Sequence, residues 1–251
     1  MTLVQHDAAL TWHEPGSVAL RGTLVLLPGR GESPSVYERF GRRLAADAYR
    51  VHAVTAPSDS PDRASEELFD LLDNADGAVP RIVVGSDAGA AYAAELAAQG
   101  QLGGASALIL AGLPTSSVGG PVAGWDQELD LRTACGAHRA RINQNGVRPS
   151  ELFSDIPAAW LDPATPAGIT LPTLGIHGDD DVISPLEAAR RWYAAVPQAE
   201  LVTIAGGRHD ALNDQTHRTV AATVVLFLEH LRAGAALAPI AVTETFSRPS
   251  S

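Results

Sequence analysis

One short segment of the chain has the frame of a turn that presents a nucleophile. The predicted short strand Arg81-Ile82-Val83-Val84 runs into Gly85-Ser86-Asp87-Ala88-Gly89, and an alanine-rich stretch follows. In a strand–turn–helix of pattern Gly-x-nucleophile-x-Gly, a strained turn holds the central side chain at the carboxyl end of the strand. The glycines are needed because a β-carbon would collide with the neighbouring helix and strand. The frame places Asp87 at the nucleophile position.

Two alternatives exist for this segment. Serine is the commoner nucleophile, but centring the frame on Ser86 puts Val84 and Ala88 where the glycines belong, so the spacing selects Asp87. The other alternative is a turn without catalysis, in which Asp87 only caps the following helix.

Two later segments supply a carboxylate and a base. Asp181 lies three residues after Gly178 and shortly before Pro185, at the end of an apolar strand, and Asp180 is the second candidate for the same role. His209 lies on a glycine-containing loop after the last apolar strand. Nucleophile, acid, histidine is one of the chain orders in which catalytic triads occur. We therefore predict that Asp87, Asp181 and His209 form a triad.

A glycine-rich loop near the start of the chain predicts an oxyanion-binding site. The apolar residues 24–27 lead into Pro28-Gly29-Arg30-Gly31-Glu32. Such a loop gives a backbone N–H to the oxyanion, together with the N–H of the residue after the nucleophile. The predicted donors are the amides of Arg30 and Ala88.

An aspartate nucleophile restricts the chemistry. Its carboxylate is ionised at neutral pH and needs no base to activate it. Attack on a strained or activated sp³ carbon would give an alkyl ester on Asp87, and His209, held by Asp181, would activate the water that cleaves it. Attack on a carboxylic ester would instead give a mixed anhydride, which is less favourable. The residues favour epoxide or carbon–halogen substrates.

The elements that must position these residues alternate between strands and helices. Such alternation predicts an α/β fold with a mostly parallel, buried sheet flanked by helices. The predicted strands are 18–27, 50–55, 81–85, 105–111, 173–177 and 200–204. The predicted helices are 35–46, 62–74, 88–99, 185–196 and 215–232.

The alternation is interrupted between residues 113 and 171. This stretch is rich in Gly, Pro, Ser and Arg, which is typical of a cap inserted over a site, although a surface excursion without function is the alternative. The predicted organisation is a core of residues 1–112 and 172–232, a cap of residues 113–171 and a frayed tail of residues 233–251.

Within the predicted cap, a few side chains are candidates for the substrate pocket. They could stabilise a leaving group or hold an anion. The alternative for Arg139 and for its neighbour Arg141 is a solvated helix face. The candidates are Trp125, His138, Arg139 and Trp160.

Composition excludes several function classes. The 251 residues carry a formal net charge of −11, which disfavours nucleic acid as a partner. All 18 basic residues are arginine, so a lysine Schiff base with pyridoxal phosphate is excluded. No cofactor is predicted, and the histidines and aspartates near His177 and His209 lack the close ligand spacing of a metal site. The single cysteine, Cys135, forms no internal disulfide.

The chain is also predicted to have no membrane span. No apolar run approaches the length of a membrane span, and the first 14 residues lack the pattern of a secretory signal. We therefore predict a cytoplasmic protein that acts on a small molecule. A homodimer is left open.

Across residues 18–232 the motifs resemble those of the α/β-hydrolase fold. The Pro-Gly-Arg-Gly-Glu-Ser segment is similar to the His-Gly-x-Gly-Glu loop of the monoglyceride-lipase and lysophospholipase-like branch, with Pro28 in place of histidine. Aspartate at the nucleophile position is similar to epoxide hydrolases and dehalogenases of this fold. The resembled epoxide hydrolases carry an aromatic residue after the nucleophile and tyrosines in the cap, whereas this chain has Ala88 and no tyrosine in residues 113–171.

Three hypotheses follow for the function. The first is a hydrolase that forms a covalent ester on Asp87. The second is an esterase-like or lipase-like hydrolase in which Asp87 acts without a covalent bond. The third is a ligand-binding protein without catalysis on the same fold, against which Asp181 and His209 argue. The identity of the substrate lies beyond the sequence.

Overall fold

The computed structural model describes residues 9–117, 124–144, 147–234, 240–241 and 244. Within them, seven strands form one sheet in the order β1-β3-β2-β4-β5-β6-β7. All neighbouring strands are parallel except the edge pair of β1 and β3. The strands are β1 (Leu10–Trp12), β2 (Gly22–Leu27), β3 (Tyr49–Ala53), β4 (Arg81–Ser86), β5 (Ala107–Ala111), β6 (Thr173–Gly178) and β7 (Ala199–Ile204).

Helices cover both faces of the sheet. The α-helices are α1 (Glu38–Ala46), α2 (Pro61–Asp73), α3 (Ala88–Ala98), α4 (Trp125–Arg132), α5 (Gly136–Gln144), α6 (Thr165–Gly168), α7 (Leu186–Tyr193) and α8 (His217–Arg232). Three short 3₁₀ helices span Pro34–Tyr37, Glu151–Phe153 and Ala158–Leu161. The prediction of a mostly parallel sheet flanked by helices is confirmed.

The burial pattern explains why the central strands read as apolar throughout. Leu24 and Leu26 of β2 pack into a cluster that includes side chains of α1 and α8. Their neighbours Val25 and Leu27 pack on the opposite face, against α2, α3 and α7. Because both faces are covered, every residue of β2 is buried.

At the amino-terminal side the prediction differs from the structure. The predicted strand 18–27 begins only at Gly22, because residues 16–18 form a turn closed by the Val18 N–H to the Pro15 carbonyl at 3.0 Å. Strand β1 was missed: its three residues are partly exposed and pair only at the sheet edge. Trp12 at its end packs over Gly41 of α1, where a β-carbon would lie 2.2 Å from the indole.

Between β5 and β6, the described residues form short helices and turns. The turn Ala158–Leu161 and helix α6 pack on α3, and the rings of Trp160 and Tyr92 lie with centroids 4.6 Å apart. Residues 118–123 and 145–146 of the predicted cap, and most of the predicted tail, lie outside the described residues. No helix in the described parts of the chain is long and apolar enough to cross a membrane.

Candidate active site

Asp87 lies on a strained turn between β4 and α3. Its backbone angles are φ 49° and ψ −124°, a conformation that non-glycine residues rarely adopt. A β-carbon on Gly85 would lie 2.4 Å from Cα of Ala90, and one on Gly89 would lie 2.2 Å from the Leu27 carbonyl oxygen. Both glycines are therefore required for α3 to approach the sheet this closely. The turn holds the Asp87 side chain at the carboxyl end of the strands.

His209 and Asp181 come together at the same edge of the sheet. Nδ1 of His209 lies 2.9 Å from Oδ2 of Asp181, and both side chains are buried. The other oxygen of Asp181 accepts hydrogen bonds from the backbone N–H groups of Ile183 and Ser184, at 2.9 Å each. Asp180, the second candidate for the carboxylate, is exposed. The loop geometry therefore gives Asp181, rather than Asp180, the contact with the histidine.

The third contact joins His209 to Asp87. Nε2 of His209 lies 3.2 Å from Oδ1 of Asp87, so the imidazole stands between two carboxylates. This contact falls short of hydrogen-bond geometry, and within the described chain the buried Nε2 has no hydrogen-bond partner. The three residues thus lie together in the order of a triad, with one ring nitrogen free to bond elsewhere.

The side chain of Arg30 clamps Asp87, which the sequence did not predict. The Arg30 backbone N–H donates to Oδ2 of Asp87 at 2.9 Å, as expected of an oxyanion-type donor. Its guanidinium also donates to the same carboxylate, from Nε to Oδ2 at 2.9 Å and from Nη2 to Oδ1 at 2.7 Å. The remaining Nη1 donates to the Ser154 carbonyl at 2.9 Å. Ala88, the other predicted donor, is buried at the start of α3.

These contacts fix the charge state of the site. Burial by itself would raise the pKa of Asp87, but the charge of Arg30, the adjacent His209 ring and the hydrogen bonds from Arg30 outweigh it and hold the pKa well below its usual value. Burial would lower the pKa of His209, but the adjacent Asp181 and Asp87 carboxylates raise it to about 10. At neutral pH the site therefore contains an ionised Asp87 beside an imidazolium.

A second buried arginine lies next to the site. Arg132, at the end of α4, donates to Glu128 and to Glu32 at 3.1 Å and lies 3.7 Å from Asp210. It also donates to the backbone carbonyl of Arg30 at 3.1 Å, and its own carbonyl accepts from the Asp210 N–H at 2.9 Å. Arg132 thus joins α4 to the loop of Arg30 and to the loop of His209.

Glu32 connects this arginine to the glycine-rich loop. Its carboxylate accepts from the Gly29 N–H at 3.1 Å and from the Tyr37 hydroxyl. Burial and the nearby Asp210 raise the pKa of Glu32, although Arg132 opposes this. His138, one of the predicted pocket residues, lies with Nε2 2.9 Å from the other side of Asp210. In the sequence, this cluster is indicated only by the four-residue spacing of Glu128 and Arg132. Ion pairs with this spacing are also common on exposed helices.

The other three predicted pocket residues make separate contacts. Trp125 donates from its indole to Asn143 of α5 at 2.7 Å. Arg139 pairs with Asp130 at the surface, in agreement with the alternative of a solvated helix face. Trp160 lines a cleft of about 320 Å³ between α3, α7 and the turn Ala158–Leu161. Asp87 is not among the residues that line this cleft.

The described residues contain no group of three or more His, Cys, Asp or Glu side chains suited to a metal ion. The side chains that the arrangement brings together are a carboxylate, an imidazolium oriented by a second carboxylate, and a guanidinium. These are the groups of nucleophilic and acid–base catalysis.

Comparison with known proteins places the chain in a family. Solved structures with the same fold include a soluble variant of monoglyceride lipase from Saccharomyces cerevisiae (TM-score 0.69, 17% identity, 88% of this chain and 90% of that one). They also include a monoacylglycerol lipase from Paleococcus ferrophilus (TM-score 0.68, 14% identity, 88% and 97%). A third is the esterase RhEst1 from Rhodococcus sp. ECU1013 (TM-score 0.64, 18% identity, 89% and 95%).

No curated protein matches the sequence. The sequence profile of the alpha/beta hydrolase family matches residues 24–223, which is most of the chain and includes Arg30, Asp87, Asp181 and His209. The chain therefore belongs to the alpha/beta hydrolase family and is a hydrolase.

Proposed function

We propose that this hydrolase attacks a small, largely apolar electrophile with Asp87, and that His209 then activates the water that releases the product. The substrate is an epoxide or a carbon–halogen compound. The observation that carries the proposal is the position of His209, with one ring nitrogen 2.9 Å from Asp181 and the other 3.2 Å from Asp87. An imidazole held between the two carboxylates stays beside Asp87 while the ester forms and while it is hydrolysed.

The contacts of the two Asp87 oxygens support a separate role for each in the first step. Oδ2 accepts from both the backbone N–H and Nε of Arg30, so it is the oxygen that becomes the ester carbonyl. Oδ1 faces His209 and is the attacking oxygen. Since the pKa of Asp87 is held low, its carboxylate is a weak nucleophile, which requires a strained or activated carbon as its target.

In the second step, water adds to the carbonyl carbon of the ester. The new charge develops on Oδ2, where two donors of Arg30 are already in place. Esterification removes the Asp87 charge that favours the imidazolium, so His209 can lose its proton to solvent. The neutral ring then takes a proton from the water, and Asp181 stabilises the imidazolium that forms. The same contacts that weaken Asp87 as a nucleophile polarise the ester carbonyl, so they favour the addition of water.

We further propose that residues 113–171 form the cap over this site, flanked by a core of residues 1–112 and 172–232. The described part of the cap contacts the Arg30 loop directly: the Arg148 N–H donates to the Gly31 carbonyl at 3.1 Å. A β-carbon on Gly31 would lie 2.5 Å from Cβ of Glu151. Residues 148–154 therefore close one side of the loop that carries Arg30. A cytoplasmic location and a homodimer stay predictions.

The test is to trap the ester. In a His209→Gln variant the second step is blocked, so incubation with a panel of epoxides and haloalkanes is expected to leave a stable adduct. Mass spectrometry of proteolytic fragments locates the adduct, which should lie on Asp87. The control is the variant with both His209→Gln and Asp87→Asn, which should remain unlabelled. Absence of any adduct on Asp87 across the panel contradicts covalent catalysis.

One observation favours a second candidate, an esterase-like or lipase-like hydrolase in which Asp87 forms no covalent bond. Both oxygens of Asp87 are engaged by Arg30, which disfavours attack, and the structural neighbours include monoglyceride lipases and an esterase. A single turnover in ¹⁸O-labelled water separates the candidates. Label in the Asp87 carboxylate supports the covalent route, whereas label confined to the product supports the second candidate.

A further inference from the structure

We propose that a small cavity between α1, α5 and the loop after His209 binds a hydrogenphosphate group, either as the free ion or as a phosphate monoester. The residues around this space, which we call the Arg39 cavity, are Val36, Arg39, Ala137, His138, Arg141 and Asn213. Asp87 is not among them, so binding here is independent of the reaction proposed for Asp87.

Arg39 brings to the cavity a positive charge that no carboxylate of the described residues neutralises. Its half-buried guanidinium donates to Sγ of Cys135 at 3.4 Å and to the backbone carbonyl of Asn213. Glu38, the acidic side chain next to it in α1, pairs with Arg141 instead. Because the whole chain carries a net charge of −11, an arginine without a carboxylate partner favours binding of an external anion.

Arg141 reaches the same cavity from α5. Its Nη1 pairs with Glu38, and the other N–H donors of the guanidinium are available for a second acceptor. Two arginines and one glutamate leave a net positive charge at this side of the cavity. Guanidinium groups bind phosphate oxygens through paired N–H···O bonds, so two of them from different helices suit a phosphate group.

Asn213 adds a buried acceptor that lacks a donor. The residue is 2% exposed, and its Oδ1 has no hydrogen-bond partner within the described residues. Its main-chain groups are already used, since the N–H donates to the Asp210 carbonyl at 2.8 Å and the carbonyl accepts from Arg39. A buried acceptor without a donor costs free energy, and a hydroxyl of the ligand would satisfy it. Hydrogenphosphate offers oxygens to the arginines and a hydroxyl to Asn213, whereas sulfate at neutral pH offers oxygens alone.

The size of the Arg39 cavity also fits a small ion. Its volume is about 120 Å³. A single ordered water needs about 10–15 Å³, whereas pockets for larger organic ligands have roughly 300–1,000 Å³. Ala137 at its edge is exposed, so an ion can enter from solvent and the alcohol part of a monoester can extend outward.

A phosphate in this cavity would join three parts of the molecule. Arg39 belongs to α1, Arg141 belongs to α5, and Asn213 lies in the loop shortly after His209. His138, which also lines the cavity, lies with Nε2 2.9 Å from Asp210 in the same loop. Since the ion contacts these parts together only in the folded protein, its binding should stabilise the fold.

The experiment titrates wild-type protein with inorganic phosphate, methyl phosphate and sulfate by isothermal calorimetry. The titrations use constant ionic strength at about pH 6, where both phosphates retain a hydroxyl in a large fraction. We expect one phosphate site per chain, with phosphate bound at least about tenfold more tightly than sulfate, which leaves the Asn213 acceptor unpaired. Equal affinities for phosphate and sulfate refute the proposed ligand class. Methyl phosphate separates the two sources: retained affinity indicates a monoester, and lost affinity indicates the free ion.

Two matched variants of α5 locate the site. Arg141→Gln should weaken phosphate binding roughly 10–100-fold through loss of charged hydrogen bonds. Arg139→Gln removes the same charge from the same helix, but Arg139 pairs with Asp130 at the surface and does not line the cavity, so the affinity should change less than about twofold.

Thermal unfolding gives a second measurement of the same variants. Phosphate should raise the unfolding temperature of wild type and of Arg139→Gln, and should have little effect on Arg141→Gln. If both variants bind phosphate as wild type does, or lose affinity equally, phosphate does not bind in the Arg39 cavity and the proposal is refuted. Absence of phosphate binding to wild type refutes it as well, and leaves the proposed role of Asp87 untouched.

Discussion

Two arginines are buried at the same edge of the sheet, and they are used differently. Arg30 and Arg132 are 0% and 1% exposed, and each binds carboxylates. Arg30 holds a single carboxylate, Asp87, with a two-pronged contact. Arg132 is surrounded by three, from Glu32, Glu128 and Asp210.

The balance of charge separates the two clusters. Around Arg30, two cations (Arg30 and His209) face two anions (Asp87 and Asp181), so the cluster is neutral. Around Arg132 carboxylates are in excess, and burial together with Asp210 raises the pKa of Glu32. In the first cluster, Nε2 of His209 has no hydrogen-bond partner among the described residues, although Asp87 lies 3.2 Å away. In the second cluster, the hydrogen bonds of Arg132 join α4 to the loop of Arg30 and to the loop of His209.

The difference teaches that burial of an arginine does not by itself identify a functional group. The strained backbone of Asp87 and the position of His209 beside it support the proposal that the Arg30 cluster is the reacting one. The Arg132 cluster has neither feature, and its role is to position the loops. Four substitutions or conditions would break or sharpen this contrast.

The largest effect is expected from Arg132→Leu. Removal of the guanidinium leaves the buried carboxylates of Glu32, Glu128 and Asp210 without their shared arginine, which should lower the free energy of unfolding by about 3–5 kcal/mol. Urea denaturation at pH 7, followed by circular dichroism, measures the change. A loss below about 1 kcal/mol would mean that water or protons replace the arginine without cost, and the positioning role would have to be abandoned.

Arg30→Met should act mainly on turnover. Loss of the guanidinium beside the developing oxyanion is expected to reduce kcat/KM roughly 10²–10³-fold. Stability should fall less than in Arg132→Leu, because His209 remains as a cation beside Asp87. The matched control is Arg30→Lys, which keeps the charge without the two-pronged geometry and should recover part of the activity. Equal losses of stability in Arg30→Met and Arg132→Leu would contradict the contrast.

Stability should depend on pH through His209. The pKa of His209 in the folded protein, about 10, lies above the value for an unfolded histidine, since Asp181 and Asp87 favour the charged ring despite burial. The stabilisation is therefore complete below about pH 6.5. It is lost as pH rises toward 10, by at most about 1.4 kcal/mol per pH unit. Urea titrations of wild type and His209→Gln should diverge over this range, and parallel curves would show that the ring is neutral when folded.

The smallest effect should come from the loss of an exposed ion pair between an arginine and a glutamate. Arg190 and Glu187 form an ion pair on α7, with side chains 50% and 71% exposed. Glu187→Ala is expected to change the free energy of unfolding by less than about 0.5 kcal/mol. Thermal denaturation at low and high salt checks this, and a larger change would show that the pair has a role beyond solvated charge.

Much of the fold could be predicted because the sheet is covered on both faces. Continuous apolar runs then mark β2, β4 and β5, and the glycines of the Asp87 turn have steric causes that leave a pattern in the sequence. Strand β1 could not be predicted, since three partly exposed residues at an edge carry no periodic signal.

The site was predictable only as far as backbone position determines it. Asp87, Asp181 and His209 follow strand ends, and parallel strands bring such residues to one edge of a sheet. The reach of Arg30 was not predictable, because a long side chain after a glycine can extend into solvent or turn inward with equal ease. The Arg30 side chain points inward because it contacts Asp87 and the Ser154 carbonyl, which are 57 and 124 residues away along the chain.

The Arg30–Asp87 pair also limits the order in which this sequence can evolve. Serine at position 87 would leave the Arg30 guanidinium buried without an anion, so that step alone is costly. An uncharged residue at position 30 leaves Asp87 with the imidazolium of His209 beside it, which is the milder loss. The two positions are therefore epistatic: a lineage that exchanges aspartate and serine chemistry on this turn is expected to change position 30 before position 87.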